Sequence, residues 1–365
     1  MTKLTMMGHI EDTGRVLRRA FDERDDYGKD FIQFLATRDF RKIYFTGSGT
    51  SYNAMRVVRN TFVKLLRVEG VAIEPTVFTY SESINPSSAF RPDQILVIGL
   101  SQHGDSLSTC EALQRATADG YSTIGVSEQL DSPIQKITDH YLHLVCEEEQ
   151  IGPETRGYTE TLLQFYILAI EVAKAKGLIG ESRYAKLNAD AKQAIEDYDT
   201  IVVESKAWYE ANNKEFIQMK KSSIAGYGYN FPTAQEGRLK FFETFGRPST
   251  AYEMEEQLHG PLRAYDSDNF IFLIGGNQGA EFDRMKDVAA YYRRAYTSHT
   301  FVISGESFDA TDKDLQFSVN TTPLLSPLFY TVPFQVLSAL LSEAVGIDTS
   351  VSPVTDKSIS GHMNH

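Results

Sequence analysis

One pattern constrains the fold more than any other, and it occurs twice in the first half of the chain. Residues 41–47 (RKIYFTG) and 94–100 (QILVIGL) are apolar strand signals, and each runs into a glycine- and hydroxyl-containing loop, 47–51 (GSGTS) and 101–106 (SQHGDS), before a helix. Repeated strand–loop–helix units are typical of an α/β domain with a mainly parallel sheet, whose strands end at a common edge. We therefore expect the two loops to converge at that edge.

Loops of this kind stand at helix N-termini, where backbone N–H groups and the helix dipole favour an anion. The first loop lacks the lysine of a P-loop and the full glycine spacing of a dinucleotide site. A phosphate group is the expected ligand, although the serines of these loops are also ordinary helix N-caps.

The second half of the chain repeats the first in order and spacing. Residues 223–229 (SIAGYGY) correspond to the first strand and loop, 270–276 (FIFLIGG) to the second strand, and 299–306 (HTFVISGE) to the segment STIGVS near Ser122. Further strands are predicted at VFTY near Val77 and YLHLVC near Tyr141. The predicted fold is α/β, with two tandem lobes that each contain a mainly parallel sheet between helices. The predicted domains are residues 1–40 (helical), 41–180 (lobe 1, phosphate loops), 181–219 (helical connector), 220–350 (lobe 2, catalytic Glu and His) and 351–365 (tail).

Lobe 2 lacks the hydroxyl-rich loops and carries two other candidate groups. Glu243 lies at helical spacing from Leu239, beside an apolar face that includes Phe242 and Gly246, so we expect a partly solvated carboxylate with a pKa raised by desolvation. His259 lies in a His-Gly-Pro turn that cannot be helical. The alternatives are a solvated surface glutamate and a loop histidine that bonds to backbone.

Composition excludes several classes of protein. The 365 residues carry a formal charge of -13, which argues against a nucleic-acid partner or an anionic membrane surface. Two cysteines and a start without a signal peptide predict a reduced, cytoplasmic protein, and the longest apolar run is too short and too interrupted to span a membrane. We expect neither a metal nor another cofactor.

Five motifs, in order, resemble the double SIS (sugar isomerase) domain family: GTSYN (49–53), SQHG (101–104), LKFFE (239–243), HGPL (259–262) and FYTVPFQ (329–335). This family includes the isomerase domain of glutamine:fructose-6-phosphate aminotransferase and the fructosamine-6-phosphate deglycases. The resemblance implies a homodimer that binds a phosphosugar. It implies phosphate binding by loop residues that match Thr50, Ser51, Ser101, Gln102 and Ser106. Gly49 and His103, in the same loops, are further candidates for phosphate binding.

The resemblance also implies catalytic roles. Glu243 moves a proton between C1 and C2 of the open-chain sugar, His259 helps to open the ring, in its own or a neighbouring subunit's site, and Lys357 meets the sugar carbonyl. Lys240, three residues before Glu243, is expected to counter the pKa shift of that carboxyl or to contact substrate.

Some residues depart from the family pattern. His103 and Asp105 replace a serine and a glutamate, and the loop 150–159 carries Glu154 and Arg156 in place of small hydroxyl residues, so the far end of the substrate is expected to differ. We expect no glutaminase domain. The predicted function is an isomerase- or aminotransferase-like enzyme that acts on an amino-substituted hexose 6-phosphate. The alternatives are a fructosamine 6-phosphate deglycase and a non-catalytic sugar-phosphate sensor.

Overall fold

A computed structural model describes residues 4–351 of the chain. The chain divides into two compact units, and each contains one sheet. Lobe 1 denotes the unit formed by Arg15–Glu149 and Arg156–Lys192, and lobe 2 denotes the unit formed by the residues up to Gly14, Gln150–Thr155 and Gln193–Val351. Within the described residues, no helix is both long enough and apolar enough to cross a membrane.

Lobe 1 contains a five-stranded sheet in the order β2-β1-β3-β4-β5, and all its strand pairs are parallel. The strands are β1 (Lys42–Gly47), β2 (Glu69–Ala72), β3 (Ile95–Leu100), β4 (Ser122–Ser127) and β5 (His140–His143). The first helices are α1 (Met6–Asp22), α2 (Arg24–Thr37), α3 (Thr50–Leu66), α4 (Pro75–Tyr80), α5 (Leu107–Ala118), α6 (Pro133–Ile137), α7 (Arg156–Ala175) and α8 (Glu181–Phe216), and the boundary between the units falls inside α1 and inside α8.

The predicted strand at VFTY is wrong, because these residues belong to helix α4. Pro75 occupies the first turn, where its fixed φ favours a helix, and Phe78 is fully buried. The strand at this position in the sheet is β2, which precedes the proline. A four-residue run of β-branched and aromatic side chains fits a short buried helix as well as a strand.

Lobe 2 has the same topology as lobe 1. Its sheet has the order β7-β6-β8-β9-β10, again with parallel pairs throughout. The strands are β6 (Lys221–Gly226), β7 (Ser249–Glu253), β8 (Asn269–Gly275), β9 (Thr300–Ser304) and β10 (Leu315–Gln316), and the helices after α8 are α9 (Phe231–Glu243), α10 (Ala280–Ala295), α11 (Ser326–Tyr330) and α12 (Val332–Ala344). The repeat predicted from the sequence is therefore confirmed, with β6, α9, β8 and β9 in the places of β1, α3, β3 and β4.

Candidate functional site

The two hydroxyl-rich loops of lobe 1 leave the same edge of the sheet. Strands β1 and β3 are neighbours, and Gly47 pairs with Leu100 at their carboxyl ends. The hydroxyl of Ser48, in the first loop, lies 3.1 Å from that of Ser108, in the first turn of α5. The expectation that the loops converge is confirmed.

Each loop ends at a helix N-terminus. Helix α3 starts after Gly49, whose φ of 58° is a conformation that suits glycine, and α5 starts after Ser106. The second loop is closed by its own hydroxyls, because the backbone N–H of Ser106 donates to Ser101 Oγ at 3.2 Å. Thr50, Ser51, Ser101 and Gln102 are each less than 10% exposed. Two helix N-termini with hydroxyls between them favour an anion at this edge.

Gln102 and His103 also have partners inside lobe 1. The side-chain amide of Gln102 donates to the Cys146 thiol at 2.9 Å, and Gly157 of α7 leaves room for it, since a Cβ there would lie 2.6 Å from Gln102 Nε2. His103 acts electrostatically on Glu128. Burial and Glu148 raise the pKa of Glu128, whereas His103 pulls that pKa down.

In lobe 2, helix α9 buries a different face from the predicted one. Phe242 is 46% exposed, while the buried stripe contains Gly237 and Phe241 together with two charged residues, Glu236 and Lys240. Gly237 allows close packing, because a Cβ at this position would lie 2.8 Å from the ring of Phe334 in α12. The prediction of a buried Leu239–Phe242 face is therefore wrong, since a glycine contact and an internal ion pair replace apolar packing.

Gly246, which was predicted to lie on the same helical face as Leu239, lies beyond the C-terminus of α9. Helix α9 ends at Glu243, and the N–H of Gly246, at a φ of 64°, donates to Phe241 O at 3.0 Å. This is the usual conformation of glycine after a helix C-terminus. Glu243 is thus the last helical residue.

The last two turns of helix α9 carry an ionic group, which consists of Glu236, Lys240 and Glu243. Lys240 Nζ lies 2.6 Å from Glu243 Oε2 and 3.3 Å from Glu236 Oε1. The side chains of Lys240 and Glu236 are buried, whereas that of Glu243 is 33% exposed, so the expectation of a partly solvated carboxylate is confirmed. Burial alone lowers the pKa of Lys240, but the carboxylates of Glu243 and Glu236 outweigh it and raise that pKa. Lys240 is therefore a buried ammonium that holds one partly exposed carboxylate.

The segment Gln150–Thr155 belongs to lobe 2. Gln335 Nε2 of α12 donates to Thr155 O at 3.0 Å, and Glu154 contributes to the raised pKa of Lys240. Glu154 thus lies within electrostatic range of the ionic group.

Arg156, which lies in the same predicted loop as Glu154, has a structural role in lobe 1. Its guanidinium is 2% exposed, and Nη2 donates to the carbonyl oxygens of Glu147 and Glu148 at 3.3 and 3.0 Å. The buried guanidinium thus holds the backbone that precedes α7, and a difference at the far end of the substrate remains a prediction.

His259 lies between two 3₁₀ turns, Glu256–Leu258 and Pro261–Ala264, and its backbone N–H donates to Glu256 O at 3.1 Å. It is exposed and lies within electrostatic range of Glu255. In the described part of the chain, no hydrogen bond or ion pair joins His259 to Glu243. Lys357 lies outside the described residues. Among residues 4–351, no three His, Cys, Asp or Glu side chains are grouped so as to hold a metal ion.

Glu236 was not predicted from the sequence as a member of this ionic group. The signal was present as Glu-x-x-x-Lys-x-x-Glu over residues 236–243, because residues three and four positions apart meet on a helix.

Comparison with known proteins agrees with this fold. Residues 38–171 match the SIS domain model. It is 24% identical over 351 residues to glutamine–fructose-6-phosphate aminotransferase [isomerizing] of Clostridium tetani, and the match covers 94% of this chain and 56% of that protein. The chain thus spans little more than half the length of this relative.

Two solved structures extend the similarity over both lobes. A candidate phosphosugar isomerase from Clostridium difficile 630 superposes with a TM-score of 0.88 at 27% identity, over 99% of each chain. The C-terminal domain of glucosamine-fructose-6-phosphate aminotransferase from Francisella tularensis gives a TM-score of 0.80 at 20% identity, over 95% of this chain and 97% of that one. The fold is therefore that of the two-lobed phosphosugar isomerases.

Proposed function

We propose that this chain is a phosphosugar isomerase-like enzyme that acts on an amino-substituted hexose 6-phosphate by proton transfer between C1 and C2. The observation that carries the proposal is the buried Lys240, held between Glu236 and the partly exposed Glu243. A buried ion pair is a poor way to stabilise a fold, because well-packed apolar residues do as well or better. The buried position of Lys240 is better explained if its ammonium orients the reactive carboxylate of Glu243.

In this proposal Glu243 is the base. Its carboxylate takes the proton from the carbon next to the sugar carbonyl and returns it to the neighbouring carbon. The ammonium of Lys240 fixes the orientation of that carboxylate through the 2.6 Å contact. Lys240 is fully buried, so it acts through Glu243.

The phosphate is assigned to the loops of lobe 1. Support comes from the two adjacent helix N-termini and the hydroxyls around them. The name of the Clostridium tetani relative includes fructose 6-phosphate, which agrees with a hexose 6-phosphate ligand. The proposed phosphate-binding residues are Gly49, Thr50, Ser51, Ser101, Gln102, His103 and Ser106. Ring opening by His259, a contact from Lys357 and a cytoplasmic homodimer remain predictions.

A substrate panel tests the enzyme. Purified protein is offered fructose 6-phosphate with ammonia, and separately a fructosamine 6-phosphate, and the products glucosamine 6-phosphate and glucose 6-phosphate are quantified. We expect turnover in at least one arm. Phosphosugar binding without turnover in either arm would identify a sensor and reject the enzyme.

The Glu243→Gln variant tests the base. Loss of a general base lowers kcat by roughly 10²–10⁴-fold. The matched control is Glu343→Gln, which removes an exposed carboxylate from the last turn of α12. Full activity in Glu243→Gln would remove the assigned base.

Deglycation is the second candidate, and Glu154 favours it. A carboxylate near the ionic group suits a substrate that carries a positively charged amine.

A further inference from the structure

The side chain of Gln102, in the second loop of lobe 1, is held in place by buried contacts. Its amide nitrogen Nε2 donates to Cys146 Sγ at 2.9 Å, and its main-chain oxygen accepts a hydrogen bond from the backbone N–H of Glu128 at 2.9 Å. Gln102 is 7% exposed and Cys146 is 0% exposed. Both the backbone and the amide of Gln102 are therefore fixed inside lobe 1.

Helix α7 packs against the same amide. A Cβ at Gly157 would lie 2.6 Å from Gln102 Nε2, 3.0 Å from its Cδ and 3.2 Å from its Oε1. These are the three nearest atoms to that position, and all belong to Gln102. Because residue 157 has no side chain, α7 can approach the amide this closely.

The position of Cys146 is set by the segment that follows β5. Gln164 of α7 accepts a hydrogen bond from the Val145 N–H at 3.2 Å and donates one to His143 O at 2.8 Å. Burial raises the pKa of the Cys146 thiol well above its ordinary value, although the hydrogen bond from Gln102 opposes this rise. A buried neutral thiol is unreactive, so Cys146 acts by contact rather than by covalent chemistry.

The contact with Cys146 uses only part of the Gln102 amide. A glutamine amide carries two N–H donors and one carbonyl oxygen. Among residues 4–351, Cys146 is the single hydrogen-bond partner of this amide, so its second N–H is not used there. Gln102 directly follows Ser101, whose hydroxyl closes the candidate phosphate loop. An amide that is fixed in advance loses less side-chain freedom when a ligand binds.

We propose that Cys146 and Gly157 are positioning residues, which hold the amide of Gln102 so that its second N–H donates to the phosphate group of the sugar. This inference rests on the proposed function, since that function assigns the phosphate to the loops of lobe 1. Cys146 supplies the hydrogen-bond acceptor and Gly157 supplies the space. Both therefore act on the ligand through Gln102.

Binding of hexitol 6-phosphate tests this arrangement, because this ligand lacks a carbonyl and cannot react. Calorimetry gives its Kd for wild type, for Cys146→Ala, Gly157→Ala and Gln102→Ala, and for the double variants that combine Gln102→Ala with either of the other substitutions. We expect Gln102→Ala to weaken binding about 10-fold, the size of one hydrogen bond to a charged group. Cys146→Ala and Gly157→Ala should each weaken it about 5-fold when Gln102 is present and less than about 2-fold further when it is absent, because they act through Gln102.

Two controls separate positioning from general damage. Cys146→Ser keeps a small hydrogen-bonding side chain and should bind within about 2-fold of wild type. Gly28→Ala adds a methyl group to another crowded helical glycine of lobe 1, since a Cβ at Gly28 would lie 2.7 Å from Leu168 Cδ2. It should leave Kd unchanged.

Unchanged Kd in Cys146→Ala and Gly157→Ala overturns the inference, and so does unchanged Kd in Gln102→Ala. Equal weakening with and without Gln102, or the same loss in Cys146→Ser as in Cys146→Ala, also overturns it, because these results indicate a structural role. If Cys146→Ala does not fold, Gly157→Ala carries the test. A wild type that does not bind the ligand overturns both the inference and the phosphate assignment, whereas the expected pattern of Kd without turnover on the substrate panel rejects only the enzyme.

Discussion

Helices α3 and α9 occupy equivalent places in two sheets of identical order, but the candidate residues lie at opposite ends of them. In lobe 1 the candidate residues Thr50 and Ser51 lie at the N-terminus of α3. In lobe 2 they are at the C-terminus of α9, where Glu243 is the last helical residue. An acidic residue there faces the negative end of the helix dipole, which Lys240, one turn earlier, offsets. The two lobes therefore share one topology, whereas their candidate residues lie at different ends of the equivalent helices.

The loop at the N-terminus of α9 shows why lobe 2 has no counterpart of the candidate phosphate loop before α3. Asn230 Nδ2 donates to Ser326 Oγ at 2.9 Å, and the hydroxyl of Tyr227 donates to Asn277 O at 3.2 Å. Thr233 Oγ1 donates to Asn230 Oδ1 at 3.3 Å. The polar groups that would correspond to a phosphate loop are therefore used in internal hydrogen bonds.

Buried carboxyl groups give a second contrast. In lobe 2, Glu236 is 1% exposed and forms an ion pair with Lys240. In lobe 1, Glu160 of α7 is fully buried, and in the part of the chain that the structure describes neither of its oxygens has a hydrogen-bond partner. Burial raises the pKa of Glu160 to about 8, and Arg19 opposes this only in part. One lobe compensates its buried carboxyl with a cation, and the other keeps it protonated.

The largest expected effect is therefore on the pH dependence of stability. The pKa of Glu160 is higher in the folded state, at about 8, than its ordinary value of 4.5. The contribution of Glu160 to the free energy of unfolding is therefore fully present below pH 4.5 and is lost as the pH rises through 8. The loss is at most about 5 kcal/mol, at about 1.36 kcal/mol per pH unit. Urea unfolding of Glu160→Gln should show a smaller decline in stability between pH 5 and 8 than wild type.

The control is Glu82→Gln, which removes an exposed carboxylate from lobe 1. An identical decline in wild type, Glu160→Gln and Glu82→Gln would show that Glu160 is not protonated in the folded protein.

Loss of the cation in lobe 2 should have a slightly smaller effect. Lys240→Met leaves Glu236 buried without its ion pair, and breaking a buried pair costs about 3–5 kcal/mol. The double variant Lys240→Met/Glu236→Gln should recover part of this loss, because it also removes the buried charge that has lost its ion pair with Lys240. Urea unfolding at pH 7 measures both. A double variant no more stable than the single one would mean that the ion pair with Glu236 is not what Lys240 stabilises.

The smallest expected effect comes from glycines in the two equivalent loops. Gly49 and Gly228 both have positive φ, 58° and 54°, so alanine at either costs about 1–3 kcal/mol of backbone strain. Gly49→Ala should weaken hexitol 6-phosphate binding about 10-fold, at about 1.4 kcal/mol per decade, by displacing the first turn of α3. Gly228→Ala should leave Kd unchanged. Equal Kd changes in both variants would argue against a phosphate site confined to lobe 1.

The sequence predicted secondary structure best in the strands whose residues are all buried. The segments ILVIGL and FIFLIGG are continuous apolar runs bounded by glycine, so the central strands and the repeat could be predicted. The buried face of α9 could not, because periodicity treats Lys240 and Glu236 as surface residues. Nor could the place of Glu154, which depends on a hydrogen bond between residues 180 positions apart in the chain.

The contact between Gly237 and Phe334 has a consequence for which substitutions lobe 2 can accept. A single added methyl group at position 237 would force α12 away from α9, since no space exists for a Cβ. Gln335 of α12 also holds the loop Gln150–Thr155, because its side-chain amide donates to Thr155 O. A substitution at this uncharged, buried position therefore disturbs both α12 and the loop that α12 holds, while every charged residue is retained.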